Sequence, residues 1–152
     1  MKELTTEMME IIRIYNAGSV ATVNSEGLPC VSPKATFVII NPRRIAFGNI
    51  RSPQTIKNLR NQSDLEILFT DILKRIAVRV RGNAEIVERN ASGIEEITVE
   101  FEKYWQPYLH LMDQFVVIEI SSANLVTSPG YDIGLTAAEM QQVNFEKLKS
   151  TL

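Results

Sequence analysis

Leu4, Met8, Ile11, Ile12 and Tyr15 recur at the three- and four-residue spacing of one helix face, which predicts a helix over roughly residues 5–16. Thr5 or Thr6 suits its start and Gly18 its end. Beyond Gly18 the period of the pattern changes from helix to strand. Val20–Val23 reads as a strand and Asn24-Ser25-Glu26-Gly27 as a tight turn. Leu28–Ile40 reads as one long strand, bent or at a sheet edge where Pro29 and Pro33 lack a ladder donor. Asn41-Pro42-Arg43-Arg44 then turns the chain into a strand at Ile45–Asn49. Ser52 followed by Pro53 starts a short helix over about residues 53–60. Further strands are expected at Leu65–Thr70 and Ile76–Arg89, the second interrupted near Gly82 by a bulge or barrel corner. A helix from Ser92 to about Trp105, a strand at Phe115–Ile120 and a helix from the capping box Thr136-x-x-Glu139 to about Lys147 complete the pattern. Six short antiparallel strands with a few helices predict an α+β fold: one domain over residues 1–152, a small β-barrel with peripheral helices.

Composition narrows the function. At 152 residues the chain has room for one real core. A net charge of −2 gives no global field toward nucleic acid or acidic lipid, so neither is an expected partner. Apolar runs such as Phe37–Ile40 and Phe115–Ile118 are far too short to cross a bilayer. The start, with Lys2, Glu3, Glu7 and Glu10, lacks the pattern of a signal peptide, and Cys30 has no second cysteine to pair with. The cytoplasm is therefore the expected compartment. No G-x-G-x-x-G follows a strand and no Walker loop is present.

The candidate chemistry lies between Gly18 and Ala84. In the long strand, Val31, Pro33, Ala35, Phe37 and Ile39 alternate with Ser32, Lys34 and Thr36, which place a row of donors on one face. Alone, such a row fits a solvated sheet face better than a site. The helix start at Ser52-Pro53 adds free backbone amides and a dipole that favours an anion. Ser52, Gln54 and Thr55 bring side-chain donors there, and Arg51 and Lys57 bring positive charge. A helix capped by its own Ser52 fits the same spacing equally well. Because Lys34 and the helix start come from neighbouring elements, a phosphate is the expected ligand.

The pieces ATVNSEGLPCVSPKATF, RIAFGNIRSPQTIKNLRNQ and VRVRGNAEIV, in that order after an N-terminal helix, resemble the pyridoxamine 5′-phosphate oxidase-like, or FMN-binding split β-barrel, family. The resemblance covers roughly residues 5–90, more loosely as far as Ile120. It implies a split barrel, an FMN cofactor and a homodimer with the flavin ring at the subunit interface. It places Ser32, Pro33, Lys34 and Ala35, then Phe47, Gly48 and Asn49, beside the cofactor, with Arg51, Ser52, Thr55 and Lys57 about its phosphate. The Arg-rich phosphate signature and C-terminal substrate segment of the vitamin B6 oxidases are missing. The reaction implied is transfer of electrons or hydride between FMN and a small-molecule substrate, or an electron donor such as NAD(P)H. The alternatives are a flavin carrier or redox sensor without turnover, a haem- or F420-binding member of the fold, and a cofactor-free barrel. No catalytic acid, base or nucleophile is assigned.

The remaining candidates read as structural. Arg79 and Arg81 share a strand face and suit a solvated outer surface better than an anion site. Ser128-Pro129-Gly130-Tyr131-Asp132 reads as a connecting loop, with Tyr131 as a less favoured cover for a ring. His110 is the one histidine, and with Cys30 it supplies too few ligands for a metal. Phe101, Tyr104, Trp105 and Tyr108 read as a packing face, with flanking a pocket as the alternative for Trp105.

Overall fold

The computed structural model describes residues 1–152, which form four helices and one seven-stranded antiparallel sheet. Helix α1 spans Thr6–Ile14, with Thr5 capping Met8 N–H. It is followed by β1 (Gly18–Val23), β2 (Pro29–Lys34), β3 (Phe37–Asn41), β4 (Arg44–Asn49) and α2 (Pro53–Asn61). Next come β5 (Asp64–Asp71), β6 (Ile76–Glu88), α3 (Glu95–Leu109), β7 (Gln114–Thr127) and α4 (Ala137–Lys149).

The expected strand Leu28–Ile40 is two strands, β2 and β3, separated by Ala35 and Thr36. The sheet order β2-β1-β5-β6-β7-β4-β3 puts these consecutive strands at opposite edges. Two residues cannot span a flat seven-stranded sheet, with strands about 4.8 Å apart. The sheet therefore curls until its edges approach at Ala35-Thr36, and they remain unpaired beyond it. This is a split barrel. Thr36 fastens the corner: its hydroxyl donates to the Gly48 carbonyl and accepts from the Gly48 N–H, both at 3.2 Å.

The other departures have local causes. β7 runs to Thr127, well past the expected end at Ile120. Its second half, Ser-Ser-Ala-Asn-Leu-Val-Thr, buries only Ala123 and so carries little strand pattern. The expected bulge is present: the β6–β7 register shifts between Arg81 and Gly82, and Ser121 is the extra residue. Gly82 is required there, since a Cβ would strike the Glu119 carbonyl. Helix α3 continues to Leu109 across a break at Trp105 (φ −129°, ψ 23°). Pro107 explains the break, because it has no N–H for the Lys103 carbonyl.

Two cores hold the layers together. The larger fills the barrel and is closed by Met8, Ile11 and Ile12 of α1 and by Ile56 and Leu59 of α2. Phe37 stands in it edge-on to Phe47 and Phe69. The smaller lies outside the sheet, where Ile94, Ile97 and Phe101 pack on Val38, Ala46, Phe115 and Val117. The capping box at Thr136 and Glu139 forms as expected, and Asn144 anchors α4 by donating to the Leu73 carbonyl at 2.9 Å.

Candidate functional site

Helix α2 is set in place by its apolar residues and by one buried hydrogen bond. Ile56 and Leu59 enter the barrel core, and Asn58 Nδ2 donates to Thr22 Oγ1 on β1 at 2.9 Å. Gln54 donates to Asn58 Oδ1 and orients that amide. The N-terminus of α2 consequently opens onto the inner face of β2.

On β2 the usual order of faces is reversed. Cys30, Ser32 and Lys34 turn inward and are half-buried, whereas Pro29, Val31, Pro33 and Ala35 are exposed. The inward residues, with Val31 at the rim and Arg51, Ser52, Thr55 and Asn58 from the helix start, line a cleft of about 200 Å³. Two cations and no carboxylate line it. Lys34 Nζ donates to Ser32 Oγ at 2.6 Å and has no carboxylate partner; the ion pairs of the chain are those of Arg43, Arg44, Arg79 and Arg81. Burial without a counter-charge pushes the Lys34 pKa below the ordinary lysine value.

Ser52 does not cap its helix: its side chain makes no capping bond, although it is only 7 % exposed. Thr55 is 5 % exposed and lies on the same cleft. The hydroxyls of two largely buried residues, the free amides of the first turn and an uncompensated ammonium thus converge on one small space. The self-capped helix considered from the sequence is not what forms. The arrangement suits a compact anion with several acceptor oxygens.

The structure brings together Ser32, Lys34, Arg51, Ser52 and Thr55 of the expected residues. The others lie elsewhere. Pro33 and Ala35 are on the outer face of the β2 corner. Lys57 is exposed and does not line the cleft. The Phe47 side chain is fully buried in the barrel core, and Gly48 lies under Met112, whose side chain leaves no room for a Cβ. Asn49 donates to Gln114 Oε1, while its Oδ1 is the one buried side-chain polar atom of the chain with no partner. Thr22 and Asn58 are additions that the sequence pattern did not single out. The signal for Asn58 was an amide on the face of α2 that also carries Thr55 and Leu59.

Other candidates resolve as structural. Arg79 and Arg81 both pair with Glu66 on the outer face. Tyr131 donates to the Lys74 carbonyl at 2.6 Å, which commits its hydroxyl to the β5–β6 hairpin. His110 is exposed at the end of α3, and no cluster of histidine, cysteine and acidic residues forms a metal site. A larger groove, about 430 Å³, lies on the β3 edge of the barrel and shares no lining residue with the cleft. Size favours the groove as a ligand site; uncompensated charge and hydroxyls open to the cleft without a protein partner favour the cleft for an anion.

No helix is long and apolar enough to cross a membrane. Curated protein sequences provide no match to the chain. Among solved structures it resembles HupZ of Group A Streptococcus, with 23 % identity over 82 % of this chain and 95 % of that one and a TM-score of 0.71. A putative pyridoxamine 5′-phosphate oxidase from Lactobacillus delbrueckii matches at 22 % identity, over 82 % and 95 % of the two chains, with a TM-score of 0.67. An FMN-binding protein from Syntrophomonas wolfei matches at 16 % identity, over 80 % and 88 %, with a TM-score of 0.63. The fold is also that of an F420 reductase and of HutZ, a heme storage protein from Vibrio cholerae, both at 18 % identity. The family model described as pyridoxamine 5′-phosphate oxidase matches residues 4–126, and the chain belongs to that family.

Proposed function

We propose that this chain is an FMN-binding flavoprotein that works as a homodimer and passes electrons or hydride to or from a small-molecule substrate, in the cytoplasm. The observation that carries the reading is Lys34: a half-buried ammonium without a counter-ion, facing an uncapped helix start and two unpaired hydroxyls. A phosphate monoester supplies what each of these groups lacks. Lys34 and Arg51 balance its charge, and the α2 amides with Ser52 and Thr55 take up its oxygens. When bound, FMN supplies the redox chemistry of its ring. The chain's own part is to hold the phosphate.

A cleft of about 200 Å³ is smaller than the roughly 300–1,000 Å³ of most small-molecule sites. One chain thus encloses only part of such a cofactor. The outward face of β2, with Pro29, Val31 and Pro33 in water and Ala35 exposed just past the strand, is an apolar sheet edge that a second copy would cover. Both features support the dimer.

The FMN-binding neighbour favours flavin, whereas the F420 reductase and the heme storage protein share the fold with other ligands. The test is the absorption spectrum of protein purified without added cofactor, with mass spectrometry of what dissociates. A flavin band and released FMN are expected, together with saturable binding of FMN but not of riboflavin. Haem, F420 or a protein that binds neither flavin would overturn the proposal. Stopped-flow reduction by NADH and NADPH, followed by reoxidation with acceptors, then separates an oxidoreductase from a carrier.

A further inference from the structure

The groove on the β3 edge is not used by the flavin reading. Strand β3 is the end of the sheet, and its outward backbone groups have no strand partner. At Phe37 side chains take their place: Phe37 N–H donates to Asn16 Oδ1 at 3.1 Å, and Trp105 Nε1–H donates to the Phe37 carbonyl at 2.9 Å. Antiparallel alternation turns the N–H and C=O of Ile39 to the same open edge. There the gap between α1 and α3 widens to about 430 Å³, within the size range of small-molecule sites.

Its walls combine apolar and charged groups. Trp105 and Tyr104 stand on one side, placed by the break in α3, and Val38 and Ile40 form part of the floor. The titratable groups are Arg13 from α1 with Glu100, Lys103 and Tyr104 from α3. None of Arg13, Glu100 and Lys103 is in an ion pair, which leaves one positive charge in excess. An extended peptide gains little here, since only Ile39 offers a ladder pair. Two aromatic walls and one excess positive charge suit a flat, singly charged small molecule instead.

We propose that this groove is a second binding site, for a planar aromatic monoanion of the arene carboxylate class. The ring lies against Trp105 and Tyr104, and the carboxylate is held by Arg13 and Lys103. Glu100 opposes the charge and sets a modest affinity.

Trp105 is the chain's one tryptophan, so its indole N–H is a single reporter inside the groove. The experiment follows that resonance by proton–nitrogen NMR while the full chain is titrated with 2-naphthoate and, separately, with neutral 2-naphthamide. A saturable shift is expected with naphthoate, and binding of the amide about tenfold weaker. The exposed pair Arg13→Gln and Lys103→Gln together should weaken naphthoate about tenfold, Glu100→Gln should tighten it severalfold, and Lys34→Met, in the separate cleft, should leave it unchanged. Spectral dispersion of each variant confirms folding. No saturable shift, equal affinity for acid and amide, or wild-type binding by the double variant would overturn the proposal.

Discussion

Strands β2 and β3 are neighbours in sequence and opposite edges in space, and they obey opposite rules. β3 buries its side chains: Phe37 is 2 % exposed and Val38 3 %, one in each core. Its open backbone at Phe37 is covered by Asn16 and Trp105. β2 instead leaves Val31 70 % exposed and turns Ser32 and Lys34 inward, the second at a cost in desolvation. Through its ladder with β1 the β2 backbone serves the fold, but the arrangement of its side chains does not. A strand that breaks the hydrophobic-in rule over six residues, beside one that keeps it, marks where folding gives way to binding.

The largest way to break the contrast is in β3. Phe37→Ala removes a ring packed on Phe47 and Phe69 and should lower the unfolding free energy by about 3–5 kcal/mol in urea titrations. Next is Lys34→Met. Losing a charge-assisted contact should weaken FMN by about 1.5–3 kcal/mol, roughly ten- to a hundredfold. The same change at Lys57, which is exposed and outside the cleft, should have a smaller effect. The empty Lys34→Met protein should be no less stable than wild type. The sign follows from linkage: a lysine whose folded pKa lies below its unfolded one withholds stability at neutral pH, and that stability returns as pH rises through the lowered pKa toward the ordinary value. FMN affinity should run the other way, falling as Lys34 loses its proton, and Lys34→Met should lack that limb. A parallel pH profile in wild type and variant would remove Lys34 from the phosphate site.

Much of this was legible before the structure. The α1 stripe, the Ser52-Pro53 helix start, the irregularity at Gly82 and the Thr136 capping box are local signals, and each formed where its chemistry placed it. Ser32, Lys34, Ser52 and Thr55 were readable because strand alternation and a helix start are also local. The break at Ala35-Thr36 was not, since both residues are compatible with a strand; what ends β2 is closure of the sheet and the Thr36–Gly48 bonds. The inside and outside of β2 were equally hidden, because alternation tells two faces apart without saying which one faces the core. The Thr22–Asn58 link joins positions 36 residues apart and has no local signature.

Smaller effects sharpen the contrast at the backbone. Asn16→Ala strips the Phe37 N–H of its acceptor and should cost about 1–3 kcal/mol of stability, since that group is left on a half-covered edge. Trp105→Phe removes only one of the donors to the Phe37 carbonyl, because Asn16 Nδ2 also reaches it at 3.4 Å, and should cost less than Asn16→Ala in the same urea series.

The least effect on stability is expected at Val31, and there the small number is the informative one. Its side chain is 70 % exposed, so Val31→Asp should shift the unfolding free energy of the dissociated chain by no more than about 0.5 kcal/mol. If a second copy covers this face, the new carboxylates would be buried at the interface without cations. Sedimentation should then show self-association weakened at least tenfold at micromolar concentration; FMN binding is no separate readout of the interface, because Val31 also lines the cleft and a carboxylate there opposes a phosphate directly. An unaltered dimer would move the subunit contact off β2, and a wild-type monomer would leave its outward apolar row without a purpose.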